Sequence, residues 1–259
     1  PGQPPIAIIE HADIRRMLMM MRCRTTAMRA LVYETACNLD LSRFAETEEQ
    51  RTEARYLAEF LLPVCKACGS ETGFEVSNMA IQILGGHGYV SDAGVEQHAR
   101  DVRVAAIYEG SNGIQAMDLV LRKLIKDSGR RYQLLVKRID ADILRCENCS
   151  ELDSIRIALA EALLILQNCS HYLLENQRLN RDAEAGATSY LQLLGLVAGG
   201  WMWLRIASAA MENKDEREKL DYAKFYINDL VLKASSLQQN IRSGSKLLDS
   251  INSETLLDW

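Results

Sequence analysis

The side chains best suited to chemistry lie in one short stretch, Tyr108-Glu109-Gly110-Ser111. Glu109 is a carboxylate in a turn between two helical segments. Gly110 admits backbone angles that other residues avoid. Ser111 stands at the start of a helix, whose first N–H groups can receive a polar or anionic ligand group. Read alone, such a carboxylate is by default a solvated turn residue. A second feature is Gly85-Gly86-His87-Gly88. It follows a helical pattern and not a strand, so it is no dinucleotide fingerprint. It does offer bare main chain that a ligand or a second chain can approach closely.

The other candidates carry less. Cys65-Lys66-Ala67-Cys68 and Cys146-Glu147-Asn148-Cys149 could together give zinc four thiolates. The gap between the pairs is far longer than in a zinc ribbon. On helices, that spacing simply puts two small apolar groups on one face. No metal site is expected. His11, His87, His98 and His171 show no paired-ligand spacing. Asn148-Cys149-Ser150 and Asn168-Cys169-Ser170 match the glycosylation pattern but are read as chance.

Helical periodicity must position these residues. Ile14, Met17, Leu18, Met21, Thr25, Met28, Val32 and Thr35 predict one helix, with Asp13 as its N-cap. Thr47-Glu48-Glu49-Gln50 has the form of a capping box opening a second helix, which Pro63 should kink or end. Thr72-Gly73-Phe74-Glu75 reads as another capping box, for a helix stopping at Gly85-Gly86. An irregular loop over 85–93, a short helix near Val95–Val104 and a Ser111-capped helix over 112–125 follow. Lys126-Asp127-Ser128-Gly129 marks a break. Beyond it come long helices over 131–147, from a Ser150-x-x-Asp153 cap, over 187–212 and over 216–241. Two all-α bundles are expected, 1–128 and 129–259.

Composition excludes several classes. The 259 residues carry 30 basic and 35 acidic side chains, a net charge of -5, so nucleic-acid binding is not expected. With 15 Gly, 4 Pro and 6% aromatics, a many-stranded β protein is disfavoured. The apolar stretch Tyr190–Ala210 is broken by Gln192 and Arg205 and reads as a buried helix, not a membrane span. Seven cysteines and no secretory signal point to a reducing, cytoplasmic setting. The opening PGQPPIAIIE lacks an initiator Met, so the chain is expected to be cut from something longer.

Gln82 to Gln115, QILGGHGYVSDAGVEQHARDVRVAAIYEGSNGIQ, resembles the signature of the C-terminal helical domain of acyl-CoA dehydrogenases. HADIRRMLMMMRCRTTAMRALVYETA and ETGFEVSNMAIQILGG extend the likeness over most of residues 10–125. YLQLLGLVAGGWMWLRIASAA and YAKFYINDLVLKASSLQQNIRSG are similar to an extra C-terminal helical module. That module marks a subgroup including the methylmercaptopropionyl-CoA dehydrogenases. The resemblance implies FAD-dependent α,β-dehydrogenation of an acyl-CoA thioester, with an electron-transfer flavoprotein as acceptor and a homo-oligomeric assembly. It makes Glu109 the base that removes the α-proton, in a dry pocket that raises its pKa. Its own N–H would be one donor to the thioester carbonyl. Tyr108 and Gly110 would face substrate. Ser111 would meet the flavin side, while Gln82 and Gly86 would touch FAD bound mainly to a neighbouring subunit. Arg100, Asp101 and Arg103 are expected to form ion pairs fixing the Glu109 turn. Ser111 replaces the frequent Thr and keeps its hydroxyl. Gly113 replaces a frequent Gln, so one flavin contact should be missing. The family's N-terminal helical and middle β domains are not in this sequence. The chain is therefore expected to carry the base yet to be inactive and flavin-free alone. A non-catalytic association module, or part of an acyl-CoA oxidase, are the alternatives.

Overall fold

A computed structural model describes residues 6–176 and 180–257, apart from the side chains of Asn180 and Lys214; the first five residues of the opening segment lie outside it. All regular structure among the described residues is helical. Helices α1 (Ala12–Phe44) and α2 (Glu48–Leu84) form a long antiparallel hairpin. Arg24 pairs with Glu75 near one end, and Thr35 Oγ1 lies 3.2 Å from Cys65 Sγ midway along. The capping box at Thr47 forms: Thr47 Oγ1 accepts from Gln50 N at 3.2 Å, and Gln50 Oε1 accepts from Thr47 N at 3.1 Å. Short helices α3 (Gly86–Tyr89) and α4 (Val95–Arg103) follow, then α5 (Asn112–Met117), which widens into a π-helical run over Asp118–Ile125. Helices α6 (Arg130–Arg145), α7 (Asp153–Glu175), α8 (Asn180–Met211), α9 (Glu218–Ile227), α10 (Leu230–Arg242) and α11 (Ser253–Leu257) complete the order.

Several local expectations are corrected. Asp13 does not cap α1; it sits in the first turn and accepts from Arg16 at 2.7 Å. The buried face of α1 is Met17, Cys23, Ala27, Leu31, Thr35 and Asn38, whereas Val32 is exposed. Leu18 to Met21 is apolar on every side, so periodicity alone could not choose the face. Pro63 is buried inside an unbroken α2. Phe60, Leu61, Val64 and Ala67 bury fully on either side of it. Their burial, roughly 1.5–3 kcal/mol for each large side chain, outweighs the cost of about 3 kcal/mol for an internal proline. Thr72–Glu75 lies mid-helix and caps nothing, since α2 continues to Leu84. Residues 85–93 contain α3 and a 3-10 turn, not an irregular loop. Ser150 opens a 3-10 turn and makes no cap bond. The last predicted helix is two, α9 and α10, separated at Asn228-Asp229.

Helix α8 is the centre of the molecule. It packs against α1, α2, α5, α7, α9 and α10. Tyr190, Leu193, Val197, Trp201, Trp203 and Leu204 are almost entirely buried. Both tryptophan N–H groups are satisfied: Trp201 donates to Asp142 Oδ2 at 2.7 Å and Trp203 to the Cys23 carbonyl at 3.1 Å. Arg205 of α8 and Arg138 of α6 reach Glu34 of α1 at 2.6 and 3.3 Å. A continuous core thus links residues on both sides of position 128. α7 and α8 are long and apolar enough to cross a membrane, but most of α8's apolar window is buried inside the protein.

Glycine lets α8 approach so closely. A Cβ at Gly199 would lie 2.1 Å from the Tyr226 hydroxyl and 2.9 Å from its ring. That hydroxyl donates to the Leu196 carbonyl at 3.2 Å, which fixes the ring. Gly199→Ala is expected to lower stability by about 1–3 kcal/mol, the usual cost of overpacking a tight core. An unchanged urea midpoint would contradict this packing.

All seven cysteines are free thiols, and among the described residues no three His, Cys, Asp or Glu groups gather to hold a metal. Burial pushes Cys23 and Cys68 up to about 12, so both stay protonated at neutral pH. Cys37 is exposed. Native alkylation at pH 8, followed by mass spectrometry, should label Cys37 quickly and Cys23 and Cys68 only as slowly as the protein opens. Equal rates at all three would refute the burial.

Candidate active site

The Tyr108–Ser111 turn joins a 3-10 turn at Val104–Ala106 to α5. Glu109 has φ 55° and Gly110 has φ 81°, two consecutive left-handed residues. Glycine tolerates this freely; for glutamate it costs about 1–2 kcal/mol. Such strain persists only where the surroundings over-determine it. Gln115 Nε2 donates to the Glu109 carbonyl at 3.3 Å from the first turns of α5. The stronger hold lies on Asn112. Its Nδ2 donates to Glu71 Oε1 at 2.7 Å and Ser70 Oγ at 3.1 Å, and its Oδ1 accepts from Lys66 Nζ at 2.9 Å. Both polar ends of the amide are used, so the start of α5 is pinned to α2 three residues after Glu109.

Glu109 itself is exposed, as is Tyr108 at 52%. The described residues alone do not build the dry pocket that the resemblance implies. The neighbouring chain is apolar and open: Val104, Ile107 and Ile114 are each more than half exposed. Ser111 occupies the N-cap position of α5 but makes no capping bond through its side chain. Its hydroxyl is therefore not used by the helix end as expected.

Gln82 and Gly86 lie elsewhere. Both are exposed at the far end of α2. Gln82 is eleven residues beyond Glu71, about 17 Å along the helix at 1.5 Å per residue. Gln82 is thus set well along α2 from the clamp that holds the start of α5. Gly85 ends α2 with φ 60°, and a Cβ at Gly86 would meet nothing within 4 Å. Gly88 is packed tightly instead, since a Cβ there would lie 2.8 Å from the Ile81 carbonyl. The three glycines thus divide into one packing position, Gly88, and two bare, open positions, Gly85 and Gly86.

Arg100 and Arg103 do not fix the turn. Arg100 pairs with Glu96 on its own helix at 2.7 Å, and Arg103 stacks 5.8 Å from the Phe74 ring centre. The turn is held from α2, through Lys66, Ser70 and Glu71. Sequence reasoning missed these residues and Asn112. The available signal was an asparagine directly after the turn, where its amide can reach a neighbouring helix.

Comparison with known proteins places this geometry in a family. Residues 5–124 match the profile for the acyl-CoA dehydrogenase C-terminal domain, and residues 135–250 match that for the acetyl-CoA dehydrogenase C-terminal-like domain. The 3-methylmercaptopropionyl-CoA dehydrogenase of Ruegeria pomeroyi is 36% identical, over 82% of this chain and 36% of its own length. The broad-specificity linear acyl-CoA dehydrogenase FadE5 of Mycobacterium tuberculosis is 28% identical, over 86% of this chain and 38% of its own. An acyl-CoA dehydrogenase from Bacillus anthracis, solved with FAD, shares the fold at a TM-score of 0.72 and 18% identity, over 99% of this chain and 45% of that one. The chain thus spans little more than a third of the length of these two curated relatives. By its two matched domains, the chain belongs to the acyl-CoA dehydrogenase family.

Proposed function

We propose that this chain is the C-terminal part of an FAD-dependent acyl-CoA dehydrogenase and carries its catalytic base, Glu109. The observation that carries the reading is the strained turn. Glu109 and Gly110, two left-handed residues, present an exposed carboxylate, and the Asn112 amide, bonded to Lys66, Ser70 and Glu71, holds the start of α5 beside the bend. An ordinary solvated turn has no need of either. Glu109 would take the α-proton of a thioester, and its own N–H would donate to the carbonyl where enolate-like charge develops. Tyr108 and Gly110 would border the acyl group, and Ser111 would face the cofactor side.

Gln82 and Gly86 fit a nucleotide at a different place, because open, side-chain-free backbone is what close approach of a phosphate chain requires. FAD, when bound, supplies the acceptor for the β-hydrogen as hydride. The separation of Gln82 and Gly86 from Glu109 suits a site shared between subunits. A homo-oligomer, with reoxidation by an electron-transfer flavoprotein, completes this reading.

The apolar surface around the turn supports a longer parent protein. Val104, Ile107, Tyr108 and Ile114, which flank Glu109 in the chain, are all exposed. A patch of this kind usually marks a covered interface. Its cover would exclude water from Glu109. Residues 1–128 would then be the catalytic bundle and 129–259 the added module. The same patch also favours the alternative of a pure association module.

In the complete protein, Glu109→Gln is expected to lower kcat for acyl-CoA dehydrogenation by about 10²–10⁴, the usual contribution of a general base. Activity near wild type removes Glu109 from the mechanism. The isolated 259-residue chain should purify without flavin absorbance; a stoichiometric yellow complex sinks the partial-site reading.

Asn112→Ala should leave Glu109 chemically intact but the turn loose. A fall in kcat of on the order of tenfold, with KM little changed, is expected for lost orientation. Asn112→Asp should fail to rescue, because a carboxylate cannot donate to Glu71. Full activity of Asn112→Ala would show that the clamp does not position the base.

A further inference from the structure

Helices α1, α2 and α8, closed by the α9–α10 corner, enclose a cleft of about 770 Å³. That size is in the range of small-molecule pockets. Its lining is mainly apolar, with Ala27, Cys68, Leu191, Leu196, Phe225 and Leu237 supplying carbon and sulfur surface. The charged groups at its edge have partners, Arg16 in Asp13 outside the cleft. Arg24 pairs with Glu75, Lys233 reaches Asp229 at 2.6 Å, and Glu71 takes the Asn112 amide. Such a cleft suits a ligand that brings methylenes and few hydrogen-bonding groups. Asn112 and Glu71 belong both to the cleft wall and to the clamp behind the Glu109 turn. Asn112 is three positions after Glu109, so their Cα atoms lie within about 11 Å of each other.

We propose that this cleft binds a long alkyl chain, so that α8 to α10 of the C-terminal module limit how long an acyl group the protein accepts. The inference rests on Glu109 being the base, and it adds a specificity role for a module with no residue at the reacting carbon. Each methylene buried in such a groove raises affinity about fourfold. The alkyl chain can come from two sources: the far end of the thioester held at Glu109, or a separate fatty acid.

Gln192 and Ser236 are exposed side chains on the cleft lining, away from the turn. Gln192→Trp and Ser236→Trp should narrow the cleft without disturbing the core, and matching urea midpoints verify that. In the complete protein, kcat/KM is measured for saturated acyl-CoAs from butyryl to palmitoyl. If the thioester tail is the occupant, butyryl-CoA is unaffected and palmitoyl-CoA falls by on the order of tenfold or more, a few methylenes' worth of contact. If a separate fatty acid is the occupant, the chain-length profile stays put. Titration of the 259-residue chain with cis-parinaric acid then shows binding in the wild type that both substitutions weaken. An unchanged chain-length profile overturns the specificity role, and unchanged parinarate binding beside it overturns the cleft as an alkyl site. Wild-type protein inert even toward butyryl-CoA would instead count against the Glu109 reading, and the parinarate titration alone would then decide the cleft.

Discussion

The position of one carboxylate depends on one amide. Asn112 is bonded at both ends to α2, and this fixes where α5 begins and hence how the bend before it must run. Holding Glu109 in a left-handed conformation costs about 1–2 kcal/mol. Hydrogen bonds to charged partners contribute about 1.5–3 kcal/mol each, and Asn112 makes two, to Lys66 and Glu71. Even with a discount for the exposure of Glu71, the clamp outweighs the strain.

The clamp holds only if α2 is itself immobile at residues 66–71, and α8 secures that. Gly195 lies directly against Cys68, where a Cβ would come within 2.4 Å of the sulfur. One helix of the C-terminal module therefore buttresses the same turn of α2 that grips Asn112. The polar links from Arg138 and Arg205 to Glu34, with Trp201 on Asp142, tie α6 and α8 to α1. The core is dense where these elements meet and thin along the last turns of α2. After Ser70, no α2 residue is buried. That asymmetry gives the molecule a rigid half and an open half, and Glu109 stands at the border between them.

Much of this was legible from residue patterns, and the failures have physical causes. Thr47 and Gln50 form a local reciprocal cap that needs no tertiary partner, so its pattern read correctly. Thr72 and Glu75 have the same spacing, but α2 continues through them because Phe74 and its neighbours pack on α4 and Glu75 pairs with Arg24. Pro63 was read as a break because local chemistry says so; long-range burial overrode it. The buried face of α1 is legible only at Met17 and Thr35, because methionines surround the helix at its start. In the candidate site, Glu109 and Gly110 stood out by type and order. Asn112 did not, because its role depends on residues more than forty positions earlier, which no local pattern reveals.

The most direct test watches the proton rather than the overall reaction. An acyl-CoA analogue with no transferable β-hydrogen can still lose its α-proton, so exchange of that position in D2O reports the base alone. Exchange is followed by mass spectrometry in the complete protein. The account predicts rapid α-deuteration by the wild type and a rate lower by about 10² or more with Glu109→Gln. Equal exchange by both proteins would contradict it, and the base would have to be sought elsewhere.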